Sequence, residues 1–214
     1  MIWIILILIF LSVGIVFLFA MKLNWAIFVP VKSTQHSEKV LLTFDDGPHP
    51  VFTAMILDEL EKYGAKGIFF MIGDRVAQYP SVARLVLERG HTLGNHSYSH
   101  SIKNTFASAR RFEEEIIRTD EALIQATGQA SIYFRPPFGV TNPSIAAAIK
   151  RTGKMVIGWS LRSYDTIQSN PSDLADKILT KAQSGDIILL HDDRSITAEA
   201  MPMILKGLKE KGLL

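Results

Sequence analysis

Lys39-Val40-Leu41-Leu42-Thr43-Phe44-Asp45-Asp46-Gly47-Pro48 decides the fold. The run Lys39–Phe44 is short, apolar and β-branched, and it ends in two adjacent carboxylates and a Gly-Pro turn. That is the pattern of a buried strand that runs into a polar loop. Downstream, Phe52–Tyr63 has helical periodicity and stops at Gly64, a residue suited to the left-handed helix end. A second apolar run, Gly67–Ile72, follows at once. Strand, helix and strand in that order predict a parallel pair.

The alternation continues to the end of the chain. Further strands are expected at Thr92–Asn95, Ile132–Arg135, Lys154–Ser160 and Asp186–His191. Helices are expected at Ser81–Glu88 before Gly90, Phe106–Ala126 before Gly128, and Ile196–Leu208. Asn142-Pro143 and Asn170-Pro171 read as capped helix starts. Short apolar strands between helices predict an α/β fold with a parallel sheet covered on both faces. A closed or nearly closed β/α barrel and an open doubly wound sheet both satisfy this pattern. Both place ligands at the carboxyl ends of the strands.

Polar clusters stand at those ends. Asp45 and Asp46 follow the first strand, and His96 and His100 the third. Arg135 follows the fourth, Asp165 the fifth, and His191-Asp192 the sixth. Taken singly, each has an ordinary structural reading: an Asx turn, a pair of surface histidines, a surface arginine, a core histidine. Together they point to a site. Two adjacent carboxylates repel unless a cation or an arginine lies nearby. His96 and His100 stand at i and i+4, so a helical turn there would bring both imidazoles to one metal. No Glu follows His96, so this is not the HExxH pattern. With Asp46 they make a three-ligand set for zinc or a similar divalent ion, with a coordination position left open. Arg135 sits on a turn stiffened by Pro136 and Pro137 and can fork onto a carboxylate. His191 closes a buried strand and is the natural general acid near neutral pH.

Composition bounds the rest. The 214 residues are 48% hydrophobic and 21% charged, with no cysteine and a net charge of +2. This excludes collagen-like and disordered chains, a disulfide framework, an iron–sulfur site and a thiol nucleophile. The small net charge gives no case for nucleic acid. No charged side chain occurs before Lys22. Residues 2–21 are long enough, at 1.5 Å per residue, to cross a hydrocarbon core of about 30 Å. They lack the basic n-region and small-residue cleavage site of a signal peptide. Residues 1–30 are therefore expected to be a membrane anchor and linker, with Trp25, Phe28 and Pro30 at the interface, and 37–214 the folded domain. Lys22 and Lys32 give only a small orientation bias.

The blocks Thr43–Pro48, His96–His100, Arg135–Gly139 and Leu189–Asp192 resemble, in order and spacing, the polysaccharide deacetylases of carbohydrate esterase family 4, the NodB homology domain. The resemblance runs from about Lys39 to Leu208. It implies a distorted, incomplete β/α barrel of about six or seven parallel strands. It implies one divalent metal, zinc first, with cobalt, nickel or manganese as alternatives, on Asp46, His96 and His100. Asp45 is implied as the catalytic base and Arg135 as the arginine that orients it. His191 is implied as the general acid, kept protonated by Asp165. The Phe138 N–H would lie in the oxyanion site, and Trp159 and Leu189 would line the pocket for the acetyl methyl. Three positions depart from the family pattern. Phe138 replaces a usual Tyr, Arg162 and Thr166 replace a usual Asp and Trp, and the chain stops at Leu214 where a last strand is common.

The function expected is hydrolysis of N-acetyl groups from an N-acetylglucosamine-containing glycan, of peptidoglycan, chitin or exopolysaccharide type. The domain is expected on the extracytoplasmic side of a membrane that residues 2–21 span. The alternatives are an O-acetyl esterase on xylan-type glycans, a hydrolase of a non-sugar amide, and an inactive glycan-binding membrane domain. No nucleic-acid partner is expected, and the residues do not define an oligomeric state.

Overall fold

The structure is a computed structural model that describes residues 3, 6, 10, 14, 20 and 23–214. The anchor expected at residues 2–21 lies mostly outside the described residues. Among the described residues no helix is long and apolar enough to cross a membrane.

The strands are β1 (Val31–Lys32), β2 (Leu41–Asp45), β3 (Gly67–Met71), β4 (Thr92–Asn95), β5 (Tyr133–Phe134), β6 (Met155–Ile157), β7 (Leu161–Arg162) and β8 (Ile187–His191). They form one eight-stranded sheet in the order β1-β6-β5-β4-β3-β2-β8-β7, and every neighbouring pair is parallel. The helices are α1 (Phe52–Lys62), α2 (Gly73–Gln78), α3 (Pro80–Glu88), α4 (Ala109–Thr127), α5 (Pro143–Thr152), α6 (Pro171–Lys181) and α7 (Ser195–Glu210). The result is an α/β half-barrel, open between the edge strands β1 and β7.

Six or seven strands were expected, and the sheet has eight. The difference comes from short edge strands. Two-residue β1 and β7 are too brief to show a period. The expected strand Lys154–Ser160 reduces to β6, Met155–Ile157, and β7 lies beyond its expected end, at the far edge of the sheet. The expected helix from Phe106 starts at Ala109, because Ser108 caps it by accepting from the Arg111 N–H at 3.3 Å. Asn142 and Asn170 cap α5 and α6 as their sequence suggests, accepting from Ile145 N and Ser172 N, each at 2.9 Å. Packing also begins upstream of residue 37. Leu23 is buried beside Ile145 and Phe112, and β1 pairs with β6.

Strand alternation sorts the side chains. Leu42, Phe44, Phe69, Met71, Ile188 and Leu190 face one way, into the main core with α1, α6 and α7. The intervening residues face the concave side. There Ile68, Phe70, Ile157 and Ile187 form a small apolar floor. Asp45 shares the parity of Thr43, and His191 that of Ile187 and Leu189, so both carboxylate and imidazole stand at the upper rim of this concave face. They are also register partners across β2 and β8.

Phe69 stacks on Phe44 at 4.6 Å between centroids and meets His91 edge-on at 5.4 Å. Phe69→Ala is expected to cost about 3–5 kcal/mol by urea unfolding, the usual range for a fully buried phenylalanine. A loss below about 1 kcal/mol would contradict this packing role.

Candidate active site

The carboxyl ends of the strands open into a cleft of about 420 Å³. Asp45, Asp46, His96, His100, Phe138, Trp159, Leu189 and His191 all line it. Arg135 and Asp165 lie beneath, buried, each bound to a residue at the surface of the cleft.

Arg135 directly follows β5 and is fully buried. Its Nη1 donates to Asp45 Oδ1 at 2.7 Å and to Thr43 Oγ1 at 3.0 Å. Its Nε donates to the Ile157 carbonyl at 3.0 Å, and Nη2 to the Gly158 carbonyl at 2.6 Å. The guanidinium lies over the Phe70 ring, 4.3 Å from its centroid. Gly94 permits this, because a Cβ there would collide with the Phe70 ring. Burial pushes the guanidinium below its ordinary value, and the Asp45 charge and hydrogen bond oppose that.

The three expected metal ligands converge. One ligand atom from each of Asp46, His96 and His100 lies within 4.8 Å of the others. Asp46 Oδ1 is 3.5 Å from His96 Nε2 and 3.3 Å from His100 Nε2. That oxygen is buried and has no hydrogen-bond partner, as expected of an atom reserved for a cation. His96 Nδ1 lies 2.7 Å from the Arg135 carbonyl. A carbonyl only accepts, so Nδ1 carries the proton and the Nε2 lone pair faces the cluster. Two imidazoles and a carboxylate are a donor set suited to zinc and similar divalent ions. The residues therefore fit a cation.

The electrostatics agree with that fit. Burial pushes the Asp46 carboxyl up, but His96 and His100 outweigh it and hold the group below its ordinary range. Burial and the neighbouring His96 push His100 down to about 4. Its imidazole is thus neutral, with a lone pair to give, at neutral pH.

The histidines do not converge through the helical turn that their spacing suggests. Ser97 and His100 are left-handed instead, with φ of 64° and 48°. Side chains hold this irregular loop. Asn95 Oδ1 accepts from Ser97 N at 3.0 Å, and buried Glu115 accepts from Ser99 N and Oγ at 2.8 and 2.7 Å. Asp46 and Phe138 are left-handed too, with φ of 71° and 60°. Such positions cost about 1–3 kcal/mol each and persist where the surroundings over-determine them.

His191 Nδ1 lies 2.8 Å from Asp165 Oδ1. The second oxygen of Asp165 accepts from His191 N at 2.7 Å and Thr197 Oγ1 at 2.8 Å. Burial alone would lower the imidazole, but its bond to Asp165 and that carboxylate's charge raise it to about 9. Phe138 is half exposed, its ring lies tilted by 50° against His100 at 4.5 Å between centroids, and its N–H finds no acceptor among the described residues. Gly139 lets Trp159 approach, since a Cβ there would stand 2.6 Å from Trp159 Cη2.

Sequence reasoning missed Arg75, Asp193, Thr197 and Glu115, and it noted Asp192 only as part of the cluster after the sixth strand. Arg75 on α2 donates to the Asp46 carbonyl and, at 3.1 Å, to Asp193 Oδ2. Asp192 is fully buried and accepts from Thr53 Oγ1 at 2.5 Å, and burial with the nearby Asp193 charge raises it to about 7. Thr197 and Glu115 sit inside helices. The pair Asp192-Asp193 after His191 was a visible signal. The other residues carry no motif.

These features define a hydrolase cleft, with a cation site flanked by a carboxylate on one strand and an imidazole on the next. The chain belongs to the polysaccharide deacetylase family, whose profile matches residues 32–157. It is similar to a peptidoglycan-N-acetylglucosamine deacetylase of Bacillus cereus, 36% identical over 183 residues, covering 83% of this chain and 85% of the relative. It is also similar to PdaC of Bacillus subtilis, a peptidoglycan-N-acetylmuramic acid deacetylase, with 34% identity over 82% of this chain and 37% of the relative. A solved PdaC structure matches with a TM-score of 0.77 at 32% identity, covering 82% of this chain and 85% of that one. The chain thus spans well under half the full length of PdaC, and 38% of PgdA of Listeria monocytogenes, which is 34% identical and matches 85% of this chain.

The His191–Asp165 pair sets a pH dependence. His191 is raised from 6.5 to about 9, so its share of stability is complete below pH 6.5 and is lost as pH rises through about 9. Asp165 is held below 3.8, so its share is present above that value and is lost as acid protonates the folded carboxyl. Asp165→Asn leaves burial, which lowers the imidazole, against the charges of Asp45 and Asp46, which raise it. The ring of His191 is then expected to titrate well below 9 in an imidazole NMR titration of the metal-free protein. A midpoint that stays near 9 would contradict the pairing.

Proposed function

We propose that this protein removes N-acetyl groups from glycans that contain N-acetylglucosamine or its muramic acid derivative, using a divalent ion held by Asp46, His96 and His100. The observation that carries the reading is the pair of opposed proton-transfer groups beside the cation site. Asp45 is a carboxylate held by Arg135, and His191 is an imidazolium held by Asp165.

A divalent ion bound there supplies Lewis acidity that polarises the acetyl carbonyl and acidifies water. Asp45 has one oxygen tied to Arg135, while its Oδ2 lies 3.8 Å from His96 Nε2 on the cleft side. That oxygen is placed to take a proton from the attacking water. The Phe138 N–H, without a partner among the described residues, is the donor we assign to the developing oxyanion. One such donor is typically worth about 3–4 kcal/mol of barrier. His191 Nε2 then gives its proton to the departing nitrogen, which without it is a poor leaving group. Raised to about 9, the imidazole is charged across the neutral range. Trp159 and Leu189 provide the apolar wall for the methyl group.

We also infer that residues 2–21 tether the domain to a membrane and that the cleft faces the wall side. The charge-free segment before Lys22 supports the tether, and the peptidoglycan relatives support the side. A periplasmic reporter fused after Leu214 is expected to be active in cells. Activity only of a cytoplasmic reporter would reverse the orientation.

The activity is tested by acetate release from purified peptidoglycan, chitooligosaccharides and acetylated xylan, with added Zn²⁺ or Co²⁺. Release is expected from the first two substrates, and chelation should abolish it. His96→Ala and Asp46→Ala are each expected to reduce release by at least about 100-fold and to lose bound metal by elemental analysis. Full activity in either variant would refute the three-ligand site. Release from xylan alone would favour the esterase.

A further inference from the structure

Three guanidinium groups line the cleft, and they are not equally partnered. Arg75 donates to Asp193 Oδ2 at 3.1 Å and to the Asp46 carbonyl. Arg194 Nε lies 3.1 Å from the other oxygen of the same Asp193. Arg162 has no carboxylate within ion-pair distance and no side-chain hydrogen bond among the described residues. Its contact is the ring of Tyr164, with the guanidinium carbon 5.1 Å from the centroid. Lys177 adds a second cation 4.3 Å from the same centroid.

The position of Arg162 is set by the sheet. β7 is an edge strand, and Arg162 is the register partner of Leu189 on β8. His191 stands two residues further along β8. Arg162 is therefore about 5 Å across the ladder and about 7 Å along it from His191, backbone to backbone. That is the scale of one sugar residue. The side chain is exposed, so its charge meets whatever lies in the cleft.

The charges in the cleft leave a surplus. Asp45 faces Arg135, Asp165 faces His191, and Asp46 faces the site proposed for the divalent ion. Asp193 faces two arginines at once, and Arg162 faces no acid. The excess is positive and lies on the Arg162–Arg194 side. A guanidinium presents a planar fork of donors that matches a carboxylate, and it is not a group that neutral sugar hydroxyls require.

Resting on the deacetylase reading above, we propose that Arg162 is the anchor of a carboxylate-recognising subsite, with Arg194 beside it. The preferred substrate then carries a carboxylate on the acetylated sugar or on its neighbour. A lactyl ether such as that of muramic acid supplies one, and a uronic acid supplies the other common form.

The test uses the full chain with added Zn²⁺ and three tetrasaccharides: chitotetraose, an alternating N-acetylglucosamine–N-acetylmuramic acid oligomer, and an alternating N-acetylglucosamine–glucuronate oligomer. Acetate release gives kcat/KM, and calorimetric binding of the same oligomers gives Kd. The expected result is that one carboxylate oligomer exceeds chitotetraose by about tenfold in both, the worth of a charge-assisted hydrogen bond. Which one does so identifies the source. Arg162→Gln and Arg162→Ala are expected to reduce that ratio to near one, and Arg162→Lys to restore part of it. Raising the ionic strength from about 0.01 to about 0.5 M should also shrink the ratio. A ratio unaltered in both neutral variants, or absent from the wild type, overturns the proposal. No acetate from any oligomer would instead count against the deacetylase reading, while the binding ratios would still decide the role of Arg162.

Discussion

The buried ion pair between Arg135 and Asp45 is the contact on which the site depends. A guanidinium removed from water is costly, and its stability inside the sheet rests on complete satisfaction. Four partners provide it: Asp45, Thr43, and the Ile157 and Gly158 carbonyls. These come from β2, from β6 and from the residue just after β6, so Arg135, which follows β5, ties β2, β5 and β6 together at the rim. The main-chain carbonyl of Arg135 also orients His96 through Nδ1. A single residue thereby aims both the carboxylate and one of the cation ligands. Removing one member of such a pair leaves the other charge buried alone, which typically costs about 3–5 kcal/mol. The pair contributes geometric specification more than net stability.

The same economy of position appears in the backbone. Asp46, Ser97, His100, Phe138 and Tyr164 all have positive φ and all stand at or beside the cleft. Each lies in a loop after a strand, where no ladder dictates the chain direction. Their geometry is held by side chains that carry no chemistry of their own, among them Asn95, Glu115 and Arg75. The parallel sheet supplies rigid points of departure. The strained loops then turn functional groups inward, where a regular turn would point them to solvent.

Much of this was legible in the sequence because it is local. Each polar cluster directly follows an apolar run, so the strand-to-loop transitions and their common end could be read without coordinates. The ten residues singled out do converge on one cleft, eight at its surface and two beneath. What stayed hidden depends on distance or on φ. Edge strands of two residues leave no periodic trace, which is why β1 and β7 went uncounted. The spacing of His96 and His100 suggested a helical turn, and only the left-handed Ser97 and His100 show otherwise. Arg75 and Glu115 lie within helices whose patterns give no reason to look at them. The unusual Arg162 was visible as a departure, but its lack of an acid partner is a property of the folded chain alone.

The proposed acid and base roles rest on placement. Asp45 and His191 are register partners on adjacent strands, so one ladder step separates the proposed proton acceptor from the proposed donor. Each is backed by a buried group of opposite charge, but in reverse sense. Behind the carboxylate stands a guanidinium, and behind the imidazole stands a carboxylate. Burial alone would drive the imidazole toward neutrality, a ring that cannot donate. The Asp165 charge opposes that drift. For His191 the outcome is a group raised to about 9, charged where a leaving nitrogen needs its proton. Exchanging the two backing residues would reverse neither role cleanly. A guanidinium behind the imidazole would disfavour its proton, and a carboxylate behind Asp45 would remove the donor that orients it. The division of labour across β2 and β8 therefore resides in the buried pair of partners as much as in the residues that meet the substrate.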